Sequence, residues 1–134
     1  MTGHFKIITD SYEYESHNKI LNSSKTIMAL VLSNKFKISH LLVGNGGNEK
    51  LYNETTYKLG NKTYQFAIPN INVDENSISI EYEDINKSNN IINEFALATE
   101  FNNEMILFNY GFLNKNVIGR NENFKLTWKI NFWR

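Results

Sequence analysis

Glu81 and Glu83 are two residues apart, so in a strand both carboxylates leave the same side. Such a pair can drive glycoside hydrolysis, one carboxyl protonating the leaving oxygen while the other acts as base or nucleophile. In SISIEYE, residues 77 to 83, they alternate with Ile80 and Tyr82, the pattern of any solvated strand face, and the pair is read as surface. The glycine-rich stretch VGNGGNE, residues 43 to 49, is the second candidate. A dinucleotide fingerprint needs a glycine where Glu49 stands, and a P-loop needs a lysine followed by serine or threonine, which is missing. The stretch is read as a turn in which glycine supplies positive φ. His4, His17 and His40 form no zinc spacing; His40 reads as a packed, hydrogen-bonded strand residue and the other two as surface. The oxygen ligands of a calcium loop do not recur at the required intervals. No catalytic, cofactor-binding or metal-ligating residue is assigned, and the expectation is a protein that is not an enzyme and carries no cofactor.

Composition narrows the partners. Fourteen basic and fourteen acidic residues cancel, which leaves no long-range positive field to gather nucleic acid or an anionic membrane. There is no cysteine, so disulfides, thiolate metal sites and cysteine nucleophiles are excluded together. The longest wholly apolar run, IMALVL at 27 to 32, falls far short of the ~20 residues a membrane helix needs. No membrane insertion is expected, and MTGHFKIITD lacks the basic start and apolar stretch of a signal peptide.

These side chains must be held by strands. FKLTWKINF sends Phe124, Leu126, Trp128, Ile130 and Phe132 one way and polar residues the other. SISIEYE repeats that pattern, and KISHLLV (37 to 43), YQFAI (64 to 68), EFALAT (94 to 99) and EMILFNY (104 to 110) are rich in β-branched or aromatic residues. Phe101, Asn102 and Asn103 read as a hairpin turn. Six or seven strands at this spacing suggest a mainly β chain: an antiparallel β-sandwich or barrel-like single domain, with at most one or two short helices. Residues 1–134 read as one domain, 1–23 as a less regular N-terminal segment and 24–132 as the β-rich core. The stretch at 24 to 33 fits a helix bearing Ile27, Leu30 and Val31 on one face, or a buried strand.

Eighteen aromatic residues exceed what the clearest strand needs for its core. Tyr12, Tyr14, Tyr52 and Trp133 are not placed inward by any alternation and are the interface candidates.

KISHLLVGNGGNE, residues 37 to 49, resembles the segment of phage tail-collar and tail-fibre attachment (N-terminal) domains in which a short strand carries I-x-H/Y, two apolar residues and V-G-D/N-G. IINEFALATEFNNEMILFNYGF, followed by KNVIGRNENFKLTWKINF, is similar to that family's ending: a glutamate-led strand, a turn, a second apolar strand and a strand closing on tryptophan. The likeness spans residues 24 to 132. It implies a structural component of a phage or phage-derived tail-like particle, a tail-fibre, collar or baseplate attachment protein. It further implies a homo-oligomer that docks onto other tail, baseplate or fibre subunits in a virion or tail-like particle assembled in the bacterial cytoplasm. The alternative reading is a small β-sandwich carbohydrate-binding module, motivated by the abundance of tyrosine and asparagine.

Overall fold

A computed structural model of the chain describes residues 1–10, 13–32, 37–68, 71–84, 91–113, 118–119 and 122–131, with the backbone alone for residues 30–32. Ten strands and one α-helix are formed among these residues. In chain order they are β1 (Thr2–Thr9), β2 (Glu13–Ile20), α1 (Ser24–Leu32), β3 (His40–Gly44), a 3-10 turn (Glu49–Leu51), β4 (Lys62–Ala67), β5 (Ile71–Val73), β6 (Ser77–Asp84), β7 (Glu94–Phe101), β8 (Glu104–Leu107), β9 (Asn109–Phe112) and β10 (Phe124–Asn131).

All pairings are antiparallel, and the strands make one curled sheet in the order β4-β3-β7-β9-β2-β1-β10-β6-β5, with β8 on β7 beside β9. The chain is therefore mainly β and barrel-like. Curling brings the two ends of the sheet together through side chains: Phe66 of β4 and Tyr82 of β6 lie 4.5 Å apart, centroid to centroid. Inside are alternate residues of the long strands, among them Phe5, Ile7, Leu41, Val43, Phe95, Leu97, Leu126, Trp128 and Ile130. Each such side chain contributes about 1.5 to 3 kcal/mol on full burial.

β10 runs as its alternation dictates, with Phe124, Leu126, Trp128 and Ile130 inward. The β7–β8 hairpin turns on Asn102 and Asn103 at φ 51° and 64°. Positive φ at both central positions is what the tight primed turn requires, and asparagine adopts it more readily than most residues. Residues 24 to 32 are helical, with Ile27 in the core; the side chains of Leu30 and Val31 lie outside the described residues.

The described residues of the segment 1–23 are not less regular. They hold two eight-residue strands, and β1 lies between β2 and β10 near the middle of the sheet. Their alternation is muted because the inward positions are shared between large apolar residues, Phe5 and Ile7, and small or polar ones, Gly3, Thr9 and Asn18. The Asn18 amide oxygen accepts the indole N–H of Trp128 inside the core. A Cβ at Gly3, the residue opposite, would fall 2.2 Å from that oxygen. A polar residue is thus inward for a reason that no apolar count registers.

Candidate functional site

The glycine stretch is built around a carboxylate of the chain itself. Glu94, at the start of β7, is fully buried. Its Oε2 accepts the backbone N–H groups of Gly46 at 2.9 Å and Asn61 at 2.8 Å; its Oε1 accepts the N–H of Gly60 at 2.8 Å and the hydroxyl of Tyr110 at 2.9 Å. Four donors converge on one carboxylate, which resolves the desolvation penalty that burial would otherwise impose. The loops after β3 and before β4 are thereby tied to one point.

No glycine in the described residues has positive φ, so the expected conformational role is not the one these residues serve. Their role is close approach. A Cβ on Gly46 would sit 2.6 Å from the Asn61 nitrogen, and one on Gly60 would sit 2.2 Å from the Gly46 carbonyl oxygen. Side chains there would push the two backbones apart and pull their N–H groups away from Glu94.

From this anchor a line of aromatic rings leads outward. Tyr110 of β9 stacks with Phe112 at 6.2 Å, and Phe112 meets Tyr52 edge-on at 6.0 Å. Burial, then the charge and hydrogen bond of Glu94, hold the Tyr110 hydroxyl far above the usual phenol range, against a smaller opposing pull from the Asn48 backbone N–H. Asn48 caps the 3-10 turn by accepting the Lys50 N–H, and the turn delivers Glu49 and Tyr52 to the surface. The Lys19 ammonium stands 4.8 Å from the centre of the Tyr52 ring, a cation–π contact. Burial raises the Tyr52 hydroxyl above its ordinary value.

A groove of about 370 Å³ opens where these meet β2, lined by Tyr14, Ser16, His17, Glu49, Tyr52 and Phe112. Its origin is a fork in the sheet. β9 pairs with β2 only at Lys19↔Tyr110 and Ile20↔Asn109, then turns to β7 through Gly111 and Phe112. Among the described residues, β2 from Glu13 to Asn18 is therefore paired with β1 alone. The groove offers three aromatic side chains, a carboxylate, an imidazole, a hydroxyl and strand backbone without a neighbouring strand.

Two of the four interface candidates, Tyr14 and Tyr52, are thus brought together, each half-buried. Tyr14 leans on Phe5 at 6.4 Å. Tyr12 and Trp133 lie outside the described residues. Glu81 and Glu83 are both exposed, opposite Thr127 and Lys125 of β10. Glu83 borders a depression with Asp10 and Asp84 that Glu81 does not line. His40 is hydrogen-bonded through Nδ1 to the Ser39 hydroxyl at 2.7 Å, and His17 is exposed opposite His4. Among the described residues no cluster of histidine and carboxylate side chains is disposed to hold a metal ion.

Phe112, Glu49 and Glu94 carried no assignment from sequence. The signal for Glu94 was available: an acidic residue heading the apolar run FALA, where a charge persists only if it is solvated or paired. Comparison of the chain with protein-family models, with curated proteins and with solved structures returned no match.

Proposed function

We propose that this chain is a structural component of a phage or phage-derived tail-like particle, working by protein–protein assembly with tail, baseplate or fibre subunits. The observation that carries the reading is the groove at the sheet fork, where Tyr14, Tyr52 and Phe112 flank a strand lacking a partner on that side among the described residues. A segment of another subunit can add main-chain hydrogen bonds to β2 and seat an apolar side chain against the three rings. The stretch that resembles the attachment domains, residues 37 to 49, contains β3, the Glu94-bound loop and Glu49, and of these Glu49 lines the groove. Replacing both tyrosines, Tyr14→Ala and Tyr52→Ala, is expected to weaken assembly by about tenfold or more. Sedimentation velocity on the purified chain, alone and mixed with the products of its neighbouring genes, reads this effect. A wild-type chain that stays monomeric in every mixture overturns the proposal.

The same groove favours one other reading, a carbohydrate-binding module. Tyr52 and Phe112 offer ring surfaces for the apolar face of a sugar, and Ser16, His17 and Glu49 stand ready for its hydroxyls. Nuclear magnetic resonance titration with millimolar mono- and oligosaccharides would shift the Tyr52 and Phe112 ring signals if this reading holds. Unmoved signals across a broad sugar set would remove it.

A further inference from the structure

A second depression, of about 350 Å³, lies against the outer face of β3 and β8. Its floor is apolar, formed by Leu42, Met105 and Leu107, and its rim carries Tyr57, Lys58 and Lys62. Tyr57 is 71% exposed. Elsewhere, the β5–β6 hairpin presents the reverse chemistry. Val73 is 79% exposed, and Asp74 and Glu75 follow it on the exposed turn, which is closed by the Asp74 N–H donating to the Ser77 carbonyl. Among the described residues neither lysine and neither acid forms an ion pair within the chain. The Lys62 ammonium donates a 2.9 Å hydrogen bond to the Gln65 side-chain oxygen.

We infer that these surfaces join copies of the chain head to tail: the Val73–Glu75 tip of one copy enters the lysine-rimmed depression of the next. Val73 meets the apolar floor, and Asp74 and Glu75 meet Lys58 and Lys62. The occupant is a second copy because one chain carries both halves, a convex tip with an exposed apolar residue and two acids, and a concave apolar floor with two bases. The contact is heterologous, so repeated copies close a ring if the rotation between them allows it and otherwise extend as a filament. It rests on the reading that this chain works by assembly, and it uses a surface separate from the Tyr14–Tyr52 groove.

Charge reversal tests it. One variant carries Asp74→Lys and Glu75→Lys, a second carries Lys58→Glu and Lys62→Glu, and all four positions are exposed. In sedimentation velocity each variant alone is expected to self-associate about tenfold more weakly than the wild-type chain, since like charges then face each other. An equimolar mixture is expected to regain association, because each basic tip then finds an acidic rim and each acidic tip a basic one. Wild-type association is expected to weaken severalfold as salt rises from about 0.05 to 0.5 M. Reversals without effect, or a mixture that fails to recover, overturn the head-to-tail contact. Tyr14→Ala/Tyr52→Ala run alongside separates the outcomes: loss of assembly in that variant alone leaves the proposed function standing and removes this inference.

Discussion

Glu94 and Glu49 stand on the two sides of one loop system and show how place decides what a carboxylate does. Glu94 is fully buried and accepts from three backbone N–H groups and one hydroxyl; Glu49 is exposed and, among the described residues, its side chain has no hydrogen-bond partner. The first pins Gly46, Gly60, Asn61 and Tyr110 to a single point, so its cost of burial is offset only while all four donors remain. The second is left at the groove rim, where it can meet a ligand or a partner without unfolding anything. The cradle is the anion site that the glycine stretch could have offered to a phosphate, filled from within by the chain's own acid. Rigidity on the inner side is what lets the outer side hold Tyr52 and Phe112 in a fixed relation.

Removing the inner carboxylate should have the largest effect. Glu94→Ala strands three N–H groups and a phenol in a dry interior, and is expected to cost on the order of 4 kcal/mol or more, enough to leave much of the chain unfolded. Denaturant unfolding of that variant beside Glu49→Ala, expected to match the wild-type midpoint, would break the comparison if the two fell together.

Next in size is the response to alkali. Burial, followed by the charges of Asp84 and Tyr64, pushes the Tyr82 hydroxyl up to about 12, and Tyr110 is shifted in the same direction. A phenol whose value is raised by folding lends stability that is fully present below the unfolded value near 10 and is lost as pH climbs through the folded value. For Tyr82 that window is pH 10 to about 12. Absorbance at the tyrosinate band, followed with circular dichroism, should show these tyrosines ionising only as the fold is lost; ionisation of all tyrosines near pH 10 in a folded chain would contradict it.

Smaller again is the effect of crowding the cradle. Gly46→Ala or Gly60→Ala is expected to cost about 2 kcal/mol through forced separation of the two backbones. Thermal unfolding reads this directly, and a neutral result at both positions would mean that the close approach is not what the glycines serve.

Much of the sheet was written into local order. The alternation of Phe124 to Ile130 sets both faces of β10, and the two asparagines of the β7–β8 turn set its hairpin geometry. Such features depend on residues one or two positions apart, and strand period and turn chemistry act at that range. β1 and β2 escaped because Asn18 is inward only by virtue of Trp128, a residue 110 positions away.

The groove was half visible: Tyr14 and Tyr52 stood out as unassigned aromatics, but nothing local says that they share a wall with Phe112. From the order of residues alone follow the β class, the near-absence of net charge and the absence of cysteine chemistry, since each is a matter of period or of counting. The convergence of Glu94 on loops 33 to 48 residues distant, and the fork that opens between β2 and β9, belong to the folded chain. Burial makes an unpartnered charge expensive, and only the closed sheet determines which distant N–H groups arrive to satisfy it.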